Sequence, residues 1–212
     1  EKKIAILGGS TTRDIRDILE LFLLNYGIRP CFYESEYNQY YADGMFPNPA
    51  LEEFHPDILY IHTSNRNIEQ YPSLEDDRTL VTQKLQAEYE RFQALWEHLH
   101  AVYGCPVIQN NFEPPLYRLL GNRDASDHRG RWNYIQRLNQ MFYEYADMHQ
   151  DFYIHDICYE AADYGLERWS DPFYWNMYKY AMCVPAIPYT EENRERLERQ
   201  DFGRGMVTDE EE

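Results

Sequence analysis

No stretch of this chain holds more than a few consecutive apolar residues, so neither a membrane span nor the apolar core of a signal peptide is read in it. Basic charge is scarce as well. Twenty Lys and Arg stand against 37 Asp and Glu, a formal net charge of -17. A face that binds phosphate backbones or anionic lipid needs concentrated basic charge, so no nucleic-acid or membrane partner is expected. The four cysteines, Cys31, Cys105, Cys158 and Cys183, form no CxxC or other close ligand spacing. Neither a metal nor a cofactor is therefore expected. Cys31, Cys105 and Cys158 fall in or beside apolar runs and read as buried free thiols. The cytoplasm is the expected compartment.

Internal repeats are missing too, and low complexity is confined to the C-terminal end. What is present fits one folded domain: 212 residues, 43% hydrophobic and 27% charged. A domain over residues 1–189 is expected, followed by a charged helical or disordered tail over 190–212. The 20 tyrosines are spread along the chain. They read mostly as packing residues with wet hydroxyls.

Short apolar runs alternate with segments of helical period, the pattern of parallel strands joined by crossover helices. Strands are predicted at Lys3–Leu7, Pro30–Tyr33, Asp57–His62, Pro106–Asn110 and Phe152–Ile157. The first is followed by a helix capped by Thr11 or Thr12, with an Ile15, Ile18, Leu19, Phe22, Leu23 stripe and Gly27 beyond its end. Further helices are predicted over Asp77–Tyr103 and Arg131–His149. The stretch "SEYNQYYADGMFPNPALEEF" reads as a long irregular excursion. The fold class is thus α/β, a three-layer, five-stranded parallel flavodoxin-like sheet with helices on both faces.

Ligands of such sheets bind beyond the carboxyl ends of the strands, where loops gather and helix N-termini point their free N–H groups. Strand one delivers Gly8, Gly9, Ser10, Thr11 and Thr12 there. Strand three delivers Thr63 to Asn67, and strand four Gln109, Asn110, Asn111 and Glu113. This crevice is rich in amides and hydroxyls and has one obvious cation, Arg66, suited to pairing with a carboxylate or phosphate. Ser10 is the candidate nucleophile. A serine at its free pKa needs an adjacent base, and His62 and His155, each at a strand end, are the histidines able to substitute for one. Asp171 before Pro172 reads equally as a helix cap and as a triad acid.

The order Gly-x-Ser-x-Thr after strand one, Asn65 after strand three and Asp171 before the last helix resembles the SGNH (GDSL-type) hydrolases. Gly9 replaces that family's Asp, only Asn65 survives of its Gly-x-Asn-Asp block, and Tyr174 stands where Asp-x-x-His would place the base. A longer resemblance covers residues 2–189. "KIAILGGSTTRDIRDILELFLLNYGI", "FHPDILYIHTSNRNI", "VIQNNFE" and "WSDPFYWNMYKYAMCVPAIPY" resemble the N-terminal SGNH-hydrolase-like domain of FkbH-type HAD-superfamily proteins. That resemblance implies a setting in polyketide or surface-polysaccharide assembly and a small-molecule or carrier-bound acyl or glyceryl substrate. It also implies a HAD-type phosphatase-like domain or a carrier protein as partner. A histidine would be expected where Asn176 stands, and no segment reads as the Asp-x-Asp-x-Thr loop of a HAD domain.

The candidate site is accordingly Ser10, Asn65 as oxyanion donor and Asp171, with Gly9, Thr11, Ser64, Arg66, Asn111 and Asn176 as substrate-binding residues. Two readings stay open. One is a serine ester hydrolase or acyl-transfer site lacking the usual His base. The other is a non-catalytic module that binds an acyl or glyceryl carrier, a sugar or the partner HAD domain.

Overall fold

The computed structural model describes residues 1–188; the expected tail over 190–212 lies outside the described residues. Five strands form one parallel sheet: β1 (Lys2–Gly8), β2 (Pro30–Glu34), β3 (Ile58–His62), β4 (Val107–Asn110) and β5 (Phe152–His155). Their order across the sheet is β2-β1-β3-β4-β5. Each predicted strand is present, to within a residue at most ends. β5 stops two residues early, because Asp156 accepts from the Tyr159 N–H and starts a helix there.

Eight α-helices are described. They are α1 (Arg13–Asn25), α2 (Tyr40–Met45), α3 (Pro49–Phe54), α4 (Arg78–Tyr103), α5 (Arg131–Met148), α6 (Ile157–Tyr164), α7 (Leu166–Trp169) and α8 (Pro172–Tyr178). Side chains alternate across a strand, so Ala5 and Leu7 face one way and Ile4 and Ile6 the other. The first face is covered by α2 to α5, whose Leu51, Phe92, Leu95, Trp96, Leu138 and Phe142 are buried with Leu59, Ile61 and Val107. Each large apolar side chain buried this way contributes about 1.5–3 kcal/mol. The second face meets Ile15 and Leu23 of α1, and α6 to α8 pack against α1 through Ile157, Ala161, Trp169 and Tyr174.

Three expectations need correction. The excursion after β2 is not irregular. It holds α2 and α3, the latter capped by Asn48, whose side chain accepts from the Ala50 and Leu51 N–H groups, with Pro49 in the first turn. Thr12 occupies the cap position of α1, but its hydroxyl donates to Glu34 Oε1 at 2.7 Å and caps nothing. Among the cysteines, Cys105 and Cys183 are buried, Cys158 is half-buried and Cys31 is exposed. Cys31 lies on β2, the edge strand, which has one neighbour only. No helix of the described residues is long and apolar enough to cross a membrane.

Candidate functional site

The carboxyl ends of β1 and β3 lie side by side, with Gly8 in register with His62. This brings the serine turn and the end of β3 together. The Gly9 N–H donates to the His62 carbonyl at 2.8 Å, and the Gly8 N–H to Ser35 Oγ at 2.7 Å. Ser10 follows, only 2% exposed. Its Oγ lies 3.3 Å from Nδ1 of His62, in a hydrogen bond whose direction depends on the tautomer.

His62 is thus the imidazole beside the serine, and its surroundings decide what it can do. It is 1% exposed, and its Nε2 is buried without a hydrogen-bond partner among the described residues. Burial, helped by the nearby His155, pushes its pKa down to about 3. The ring is therefore neutral at pH 7, and a proton gained during catalysis would be poorly stabilised. The Tyr60 ring packs edge-on against both imidazoles, its centroid 5.7 Å from that of His62 and 5.9 Å from that of His155. His155 is engaged elsewhere: Nδ1 lies 2.9 Å from Tyr60 Oη and from Asn110 Oδ1, and Nε2 lies 3.3 Å from Glu160.

The amide that reaches the serine turn belongs to Asn67. Its Nδ2 donates to the Gly9 carbonyl at 3.0 Å and to Asn38 Oδ1, and its Oδ1 accepts from the Ser64 N–H at 2.9 Å. Ser64 and Asn67 form a capping box on the short 3-10 turn Asn65–Asn67. That Ser-x-x-Asn spacing was the sequence signal for Asn67. Asn65 faces the other way. Its Nδ2 donates to the Glu113 and Pro114 carbonyls, and its N–H donates to Glu113 Oε2.

The remaining candidates divide. Thr11 stands beside Ser10 and is tied to the end of α8, its hydroxyl donating to the Tyr178 carbonyl at 2.7 Å and its N–H to the Lys179 carbonyl. Asp171 caps the opposite end of that helix, accepting from the Phe173 N–H at 2.8 Å. The seven residues of α8 span about 10 Å at 1.5 Å each, which separates Asp171 from the Thr11 contact. Asn111 is fully buried and its amide is spent within the fold, donating to Tyr143 Oη and Asp156 and accepting from the Cys158 N–H. Asn176 is exposed on α8. Ser64 Oγ accepts from the Arg66 N–H, and the Arg66 guanidinium lies over the Trp175 ring at 4.3 Å. Glu113, 1% exposed beneath Asn65, has its pKa pushed up to about 7 by burial. Composition could not single out Glu113 or Trp175, since their roles come from burial and packing.

The sequence matches the FkbH N-terminal domain family over residues 3–195. The chain belongs to that family. No curated protein matches it. Among solved structures, this FkbH N-terminal domain is similar to the N-terminal part of the protein BF1531 from Bacteroides fragilis, which contains a phosphatase domain and was solved with Mg. The TM-score is 0.77 at 19% identity, over 88% of this chain and 48% of that one. The domain thus spans about half the length of that chain. It is also similar to TesA, with a TM-score of 0.56 at 12% identity over 91% and 95% of the two chains. A GDSL-like lipase from Bacteroides thetaiotaomicron matches with a TM-score of 0.49 at 13% identity, over 97% and 89%. The likeness to the BF1531 part and to TesA shows a shared fold.

Proposed function

We propose that this domain keeps the SGNH crevice for binding and does not hydrolyse esters at Ser10. The observation that supports this is the state of His62. A serine attacks only if its proton passes to a base, and that base is normally held and charge-balanced by a carboxylate on its second nitrogen. Here the second nitrogen is buried without a partner among the described residues, and protonation is disfavoured. Asn65, the expected oxyanion donor, has its amide nitrogen engaged by two backbone carbonyls. Asp171 serves as a helix cap. In this reading the domain presents a ligand, of the acyl or glyceryl class the family resemblance implies, to a phosphatase-like domain such as BF1531 carries.

Intact-mass analysis after exposure to a fluorophosphonate tests this, on the wild type and Ser10→Ala, with a serine esterase as positive control. An unlabelled wild type beside a labelled control is expected. Stoichiometric labelling that disappears in Ser10→Ala would overturn the reading. The 3.3 Å contact between Ser10 and His62 favours a second reading, a Ser–His dyad that carries out ester hydrolysis or acyl transfer. That reading requires labelling to be lost in His62→Gln as well.

A further inference from the structure

We propose that Arg66 and Lys179, brought together on the two loops that flank the serine turn and converging on the Trp175 indole, form a binding site for the phosphate group of a small phosphomonoester. This names the ligand class of the binding reading above and rests on it.

The chain is strongly acidic, yet among the described residues neither of these cations has a carboxylate within 4.0 Å. Arg66 lies 4.3 Å and the Lys179 ammonium 5.5 Å from the centroid of the same ring. The two charges therefore lie within about 10 Å of each other, and an anion bound between them offsets their mutual repulsion. The acid nearest Arg66 in influence is Glu113, which is fully buried and biased toward its neutral form, so it compensates the guanidinium poorly. Contact with the indole restrains the guanidinium, and among the described residues no ion pair holds it. That preorganises a fork suited to two phosphate oxygens.

The position fits a ligand at the crevice. Arg66 sits on the turn whose next residue, Asn67, holds Gly9, and Lys179 accepts from the Thr11 N–H beside Ser10. Beyond the two cations lies an exposed aromatic plate. Tyr178 packs on Tyr174 and Tyr180 at 6.3 Å and 5.9 Å, and Phe173 and Met177 are 60% and 61% exposed. A ring attached to the phosphate would lie along that plate.

The test follows the Trp175 indole N–H by NMR, assigned with Trp175→Phe, during titration with inorganic phosphate and with phenyl phosphate. Sodium chloride at matched ionic strength is the control. A saturable shift is expected with both phosphates, with phenyl phosphate binding at least about threefold more tightly. Arg66→Gln should weaken binding by about tenfold or more, since it removes a charge-assisted hydrogen-bonded pair. Lys179→Gln should weaken it by about threefold or more. Unchanged melting temperatures confirm that both variants fold. An indole resonance that phosphate does not move, a shift reproduced by chloride, or equal affinity in Arg66→Gln each overturns the site. No gain from the phenyl group overturns the role of the plate. Labelling of Ser10 by fluorophosphonate would remove the non-hydrolytic reading and leave this titration standing. A silent titration without labelling removes the phosphate site alone.

Discussion

Gly9→Ala probes why the first strand ends in two glycines. A Cβ at Gly9 would come within 2.5 Å of Cγ, Nδ2 and Oδ1 of Asn67. Something must move, and Asn67 is poorly placed to do so. Its amide is held by the Ser64 N–H, the Gly9 carbonyl and Asn38, and its own carbonyl accepts from Arg91 at 2.9 Å. Overpacking of a tight site costs about 1–3 kcal/mol. Displacing the amide strands a buried N–H and a buried carbonyl at about 1–3 kcal/mol more. The sum is about 2–6 kcal/mol. For a chain of this size each kcal/mol shifts the melting temperature by about 2–4 °C, so a loss of about 8–16 °C is expected near the middle of that range.

Urea and thermal unfolding of Gly9→Ala, Asn67→Ala and the double variant complete the test. Asn67→Ala removes the obstacle, so the double variant should be more stable than the summed single effects predict, by more than about 1 kcal/mol. A melting temperature for Gly9→Ala within about 1 °C of wild type, or strict additivity, would refute the claim that Asn67 is what approaches the glycine.

Two buried groups should tilt stability with pH in opposite directions. Glu113, raised from 4.5 to about 7, binds its proton more tightly folded than unfolded, so stability falls as pH rises between those values, by about 3 kcal/mol. His62, lowered from 6.5 to about 3, loses stability as pH falls through its own window, by about 5 kcal/mol. Urea unfolding at pH steps should show Glu113→Gln removing the first slope and His62→Gln the second; parallel curves in all three proteins would count against both assignments. Of the four thiols, Cys31 alone should react quickly with Ellman's reagent at pH 8. Cys158, half-buried and with its pKa pushed up to about 11, should lag, and Cys105 and Cys183 should react only on unfolding. Two fast equivalents would contradict this.

The sheet was legible because each strand is a short apolar run bounded by turn residues, a signal that burial on both faces enforces. The helices predicted over Asp77–Tyr103 and Arg131–His149 were equally plain, and their Phe92, Leu95, Trp96, Leu138 and Phe142 are all buried. Helix α2 was hidden by Gly44, a residue that disfavours helix. Its reason is tertiary: a Cβ there would meet Leu95 Cδ1 at 2.5 Å. The α1 stripe was visible, but none of its residues is fully buried, since periodicity reports a face and says nothing of how completely it is covered. At the site, Ser10 and the loop after β3 were legible as neighbours through sheet topology. Which amide of that loop points at the turn was not, because two residues of register separate Asn65 from Asn67, and hydrogen bonds across elements decide between them.

The serine turn has enough structural work to persist without chemistry. A Cβ at Gly8 would meet the Ser10 carbonyl and Thr12 Cγ2 at 2.8 Å, and its N–H serves Ser35 on the loop after β2. Gly9 carries the Asn67 amide, Ser10 pairs with His62, and Thr11 fastens the end of α8. Four successive residues thereby join β1 to the loop after β2, to the end and following turn of β3, and to the last described α-helix. An esterase needs that same turn open to substrate and backed by a base able to take up charge; here the hydroxyl is closed over and the base is held neutral. On the binding reading proposed above, the ligand would meet the crevice at its rim, where Arg66 and Lys179 lie against Trp175, and Ser10 would serve as a joint.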